Sequence, residues 1–516
     1  MQRVNAGQRV GWLLRTNRVL GSDPRYRRLA AFAADFGADG QTPSVSISTV
    51  SRWENRRTTV PSAAVRRYEQ MLDLRPGLLA AVNDTVARYL TPPTQSVPPW
   101  ARHRRPTPGA PLDELIDLAG TDAVVSSDEW DRLTELLACR PHLVLSPAST
   151  WQRLSERLLT EMCIADGVAW MRRAEAYHRL IVHPVGQQAA IATATAAASD
   201  TSAQSLIGTL SVFSASAHHA ASSSVVRHLT DPLTDRTFYG ALLTSVKKLR
   251  FGHFNQSQAN ALLPVLCGLV ASGSQERIPL AASLLQLLPH DLRAKVPNRL
   301  WLVAMAALHS PANLTAQRLS AETLEEIDPA GEAPPDPLLP VFVHEMLHDP
   351  VFDVRLCTMF LLYATPYRAA LAHALARELL STIRRRGRSD RIQALLESLR
   401  ILGGTDERRL IETLVLSEQL GGEVRDSAAY ALGHVGGASC DEFYRRALSM
   451  HAERARCDHS TRSTSVMDRL VYCIGISGRR NLLHEVIDQP ELPTRIRTSA
   501  AWWNGLPTYI RESATK

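Results

Sequence analysis

Lysine is nearly missing from this chain, with 4 residues against 54 arginines in a total of 516. Alanine is abundant as well, so the imbalance reads as the codon bias of a GC-rich genome, and arginine richness alone identifies no partner. Cysteine is sparse: Cys139, Cys163, Cys267, Cys357, Cys440, Cys457 and Cys473 are scattered, odd in number and without a C-x-x-C pair. That excludes a disulfide framework and reads as reduced thiols of a cytoplasmic protein. Long apolar runs are missing too. The longest, around Ala261–Ala271, is about half of a membrane span. Met1–Asn17 is broken by Arg3, Arg9 and Arg15 where a signal peptide needs an apolar core. A soluble protein without membrane contact is expected. With no phosphate loop, no dinucleotide glycine pattern and no G-x-S-x-G, neither a cofactor nor an enzyme is expected.

The chain does have an uneven charge. Residues 1–105 hold 17 arginines and 7 acidic residues, about +10, while residues 106–516 hold 41 basic and 44 acidic residues, about −3. A compact basic part beside a near-neutral body is the footprint of a tethered nucleic-acid reader. The boundary is marked by TPPTQSVPPWARHRRPTPGAP, from Thr91 to Pro111, with seven prolines. Proline fixes φ and lacks a donor, so this is a semi-stiff linker. Its Arg102, His103, Arg104 and Arg105 read as solvated linker residues, with DNA phosphate as the alternative. A chain this long needs more than one core. The expected units are residues 1–90, the linker at 91–111, a helical region at 112–340 with degenerate repeats, and helical repeats at 341–510.

The repeats show near the C-terminus. Val354-Arg355, Val424-Arg425 and Ile496-Arg497 open similar segments 70 and 72 residues apart, or two repeats of about 35 each. The last two continue with small residues and a glycine eight places after the arginine. Gly403, Gly433, Gly475 and Gly505 read as helix stops, with an insertion around Met450–Ser465. The pattern resembles HEAT-like repeats, helix pairs that bury their apolar faces by stacking. The Ala/Ser-rich stretch Ala189–Ser224 reads as a poorly packed helix or a loop.

In the basic part, Val10, Leu13 and Leu14 form an apolar stripe, as do Leu29, Ala33 and Phe36, and again Val65, Tyr68 and Leu72. Between them, Ile47, Val50 and Trp53 or Glu54 fall on one helix side, and Ser48, Thr49, Arg52, Asn55 and Arg56 on the other. Thr49-Val50-Ser51-Arg52-Trp53-Glu54, then Pro61-Ser62 and a helix ending Met71-Leu72-Asp73-Leu74, resemble the Cro/C1-type (XRE) helix-turn-helix family over residues 6–80. That resemblance implies a small helix-turn-helix domain, which with the HEAT-like repeats makes an all-α fold, a helix-turn-helix domain followed by an α-solenoid. It also implies a sequence-specific regulator whose third helix enters the major groove of double-stranded DNA. Ser48, Thr49 and Arg52 would meet base edges, Asn55, Arg56 and Arg57 would hold phosphate, and Ser51 belongs to the same set. The turn Gly37–Ser44 is longer than the family's usual one, which leaves the docking angle open.

His344-Glu345-Met346-Leu347-His348 matches H-E-x-x-H, which places two imidazoles on one helix face and a glutamate to activate zinc-bound water. The downstream Glu and Ala-Asn of XRE-linked peptidases are not found, and the run leads directly into the repeat at Arg355. It is therefore read as a chance match, with a metallopeptidase regulator as the alternative. Cys440, His451, Cys457 and His459 fit no compact zinc spacing and read as surface residues. The expected protein is a nucleoid-associated regulator, a homodimer whose solenoid offers a concave face to a protein or small-molecule effector. A scaffold that touches DNA only incidentally is the other alternative.

Overall fold

The computed structural model describes residues 4–38, 43–55, 60–90, 111–200, 203–204, 206–273, 277–308, 314–458 and 461–516. These residues carry 29 α-helices, two short 3-10 turns and no strand. Among them no helix is long and apolar enough to cross a membrane. The linker 91–110 and residues Arg56, Arg57 and His459 lie outside the described residues.

The C-terminal part is a stack of helix pairs. Second helices begin at Phe352, Ser389, Gly422, Thr461 and Thr494, 33 to 39 residues apart. Arg355, Arg425 and Arg497 are each the fourth residue of such a helix. Arg425 shows why an arginine suits that place. Its guanidinium donates to the carbonyls of Ser417 (3.2 Å) and Leu420 (2.6 Å), so it satisfies backbone acceptors in the turn between the paired helices. Arg355 donates likewise to the Asp349 carbonyl at 2.8 Å. The insertion near Met450 lengthens a helix, Asp441–Asp458, to 18 residues against 12 in its counterpart Thr405–Leu416. Gly475 does not stop a helix, since Thr461–Ile476 continues past it. Its role is closeness: a Cβ there would stand 2.1 Å from the Trp503 ring of the next repeat.

Of the two readings of Ala189–Ser224, a helix or a loop, the helix holds for most of the described residues, which fall in Gln187–Ser199, Leu206–Ser211 and His219–Thr230. Gln187–Ser199 buries Ala190, Ile191, Ala194 and Ala198, small side chains that let the helix lie close against its neighbours. The helix Gly167–Val182 is buried on nearly all sides and carries the chain across to the repeats. Trp170 stacks on Phe360 with ring centroids 5.7 Å apart. The Asp166 carboxylate lies 2.8 Å from His434. Gln204 and Arg236 reach Asp468 at 3.2 and 2.6 Å. The C-terminus returns as well: Ser127 N–H donates to the Lys516 carbonyl at 3.1 Å, and Val125 N–H to Ser513 Oγ at 3.0 Å. The second helices beginning at Phe352 and Thr461, and the turn after Gly422–Leu432, therefore meet segments from earlier in the chain.

His451 is buried rather than superficial, because its helix turns it toward the Val415 carbonyl, 3.2 Å away. Burial pushes its pKa down to about 4, from an ordinary 6.5. The folded chain holds this imidazole neutral, while the unfolded chain takes up a proton below pH 6.5. Its contribution is complete above pH 6.5 and lost as pH falls toward 4. Going from pH 6.5 to 5 is expected to cost about 2 kcal/mol through this group. His451→Gln, which keeps a donor and cannot titrate, should flatten that part of a urea-unfolding profile; an unchanged slope would contradict the assignment.

Candidate nucleic-acid interface

Five helices make up the N-terminal part: α1 (Ala6–Leu20), α2 (Leu29–Phe36), α3 (Ile47–Glu54), α4 (Ser62–Met71) and α5 (Leu78–Leu90). Asn5 opens α1 with a capping box to Gln8, and Ser46 Oγ accepts from Thr49 N–H at the start of α3. The three apolar stripes meet in a core of Leu13, Phe32, Phe36, Val50, Val65 and Tyr68. Phe32, Phe36, Trp53 and Tyr68 pack there ring on ring. Trp53 is a core residue, 7% exposed.

One buried polar lock fixes α3. Arg18 of α1 forks onto Glu54, Nε to Oε1 at 2.6 Å and Nη2 to Oε2 at 2.7 Å. Tyr68 of α4 donates to the same carboxylate at 3.0 Å. Burial first, then the Glu54 charge, raises the Tyr68 hydroxyl well above its ordinary range, so it remains a donor. A bidentate guanidinium and a hydroxyl satisfy a carboxylate that could not be buried alone.

With Val50, Trp53 and Glu54 turned inward, α3 presents Ser48, Arg52 and Asn55 to solvent, with Thr49 and Ser51 half-buried at the flanks. Arg52 donates to Thr49 Oγ1 at 3.3 Å, and Asn55 to the Ser51 carbonyl at 2.9 Å. Five of the seven residues singled out from the sequence thus share one surface; Arg56 and Arg57 lie outside the described residues. Ile47 departs from expectation: it is 50% exposed, not core. Helical side chains lean toward the N-terminus, so the first residue of a helix overhangs the end of its packing surface. The long turn before α3 is pinched shut at its base. A Cβ on Gly37 would come within 2.8 Å of Ser44 Cα, so the end of α2 and the approach to α3 are held together.

The largest difference from expectation is that this part does not hang free. Arg9, fully buried, places Nη2 2.6 Å from Glu345 Oε2 and Nη1 3.0 Å from Thr358 Oγ1, and Thr358 donates to the other Glu345 oxygen. Trp12 Nε1 donates to Asp336 at 2.8 Å, and its ring meets Phe342 edge-on at 4.7 Å. Asn17 donates to the Ala364 carbonyl at 2.7 Å. On α5, Arg88 pairs with Glu175, and Lys247 lies 3.4 Å over the Tyr89 ring. Residues from α1–α5 and from the C-terminal repeats form one continuous core. Sequence reasoning missed Arg9, Trp12, Asn17 and Arg88. The available signal was α1 itself, which places Trp12 opposite Leu14 and is buried on more than one face.

The same contacts explain H-E-x-x-H. His344 and His348 do share a helix face, with ring centroids 4.9 Å apart. Glu345 points away into the core and is held by Arg9 and Thr358. Burial first, then His344 and Arg391, pushes His348 down to about 4. Among the described residues no three of His, Cys, Asp and Glu stand together as metal ligands. Cys440 and Cys457 are exposed.

Arg9 and Arg88 are spent on buried carboxylates of the body, Glu345 and Glu175, so the surface is less basic than the count of +10 implied. The chain matches no protein-family model and no curated protein.

Proposed function

We propose that the protein is a sequence-specific DNA-binding regulator that reads the major groove with α3. The observation that carries this reading is the build of α3. Its inner side is locked by Arg18, Glu54 and Tyr68, and its outer side offers Ser48, Arg52 and Asn55 with no carboxylate paired to Arg52 among the described residues. A rigid short helix with an open, donor-rich face is what base-edge recognition requires. Arginines outside α3, among them Arg15, Arg28 and Arg66, which are exposed, would supply salt-dependent affinity through phosphate. The helical body serves as a rigid mount for the reader, and self-association would pair two readers on two half-sites.

Hydroxyl-radical footprinting of the full chain on a selected operator tests this reading. The expected result is protection of two short segments roughly 10–10.5 base pairs apart, or a multiple of that, on one DNA face. Uniform protection independent of sequence would contradict both the reading and the pairing.

A further inference from the structure

Among the described residues, seven large apolar side chains are exposed: Ile47, Val144, Val185, Leu233, Leu302, Val303 and Leu314. Six belong to the body. Single exposed hydrophobics are ordinary on a protein surface, so exposure alone says little. Position says more for Ile47, which is the first residue of α3, beside the exposed Ser48 and 50% open to solvent. The first turn there is firmly held. Ser46 Oγ accepts from Thr49 N–H at 3.2 Å and lies 2.9 Å from the hydroxyls of both Ser48 and Thr49. A β-branched side chain on a fixed turn has little rotamer freedom to lose on contact.

A reading helix presents its N-terminal residues to base edges. Hydrocarbon can recognise one group on the major-groove edge, the C5-methyl of thymine. We infer that Ile47 is a specificity residue that packs on a thymine methyl in each half-site. The inference rests on the proposed reading of α3 and adds a base preference to it, thymine over cytosine at one position. Ser48, Arg52 and Asn55 discriminate by hydrogen bonds; Thr49 also carries a methyl group but is half-buried, which leaves Ile47 as the open hydrocarbon of the first turn.

The test uses the full chain, wild type and Ile47→Ala, on the DNA motif selected by the wild type, with each thymine replaced in turn by uracil. Uracil removes only the methyl group. The wild type should lose about fourfold in affinity at one position per half-site, the worth of one buried methyl. Ile47→Ala should bind the thymine and uracil duplexes equally, with its melting temperature unchanged because the side chain supports no core. A uracil penalty that persists undiminished in Ile47→Ala, or no uracil-sensitive position in the wild type, overturns the inference and leaves the DNA reading standing. If the wild type selects no motif at all, the DNA reading fails and the inference fails with it.

Discussion

Glu345→Ala is expected to destabilise the whole chain by about 3–5 kcal/mol, the cost of leaving a buried guanidinium without its counter-charge. Arg9 is 0% exposed, and the Glu345 carboxylate lies 2.6 Å away. No rearrangement on the surface can replace that partner. Thr358 would lose its acceptor in the same step. The paired change Arg9→Met with Glu345→Leu removes both charges and fills the space with hydrocarbon. It should recover most of the loss, since apolar replacement of a buried ion pair is often neutral. Urea unfolding of the three proteins measures this directly. A stable Glu345→Ala protein, with zinc that purifies with the wild type and is lost on His348→Ala, would return H-E-x-x-H to chemistry.

The second large effect concerns recognition. Arg52→Ala should weaken binding to the selected operator by roughly 5- to 150-fold, the worth of a bidentate guanidinium on guanine. Binding to random DNA should change little. Arg105→Ala should act the other way, a modest loss on every sequence with a shallower salt dependence. Titrations at two salt concentrations on specific and random duplexes distinguish the two. Equal, uniform losses from both changes would mean that α3 is not the reader.

Local pattern carried much of this fold. The spacing of Arg355, Arg425 and Arg497 marks second helices because each arginine acts within its own repeat or the next. The stripes through Leu13, Phe36, Val50 and Tyr68 are likewise short-range signals, and they place the open face of α3 correctly. The docking of α1 and α5 was not legible. Arg9 and Glu345 are 336 residues apart, and charge counting treats each as a surface group. H-E-x-x-H misleads for the same reason: spacing places two histidines on one face but does not reveal that the glutamate already has a partner. Ile47 was misplaced because helical periodicity ignores where a helix begins.

The shared core also decides how the account must be tested. Residues 1–90 bury Arg9, Trp12 and Arg88 against the body, so the reader has to be examined in the full chain. The most direct measurement is genome-wide DNA selection with purified full-length protein and its Arg52→Ala variant, each at low and physiological salt. One motif enriched at physiological salt by the wild type, and lost by Arg52→Ala, is the result predicted here. Sequence-blind capture that collapses with salt, the same for both proteins, would contradict it.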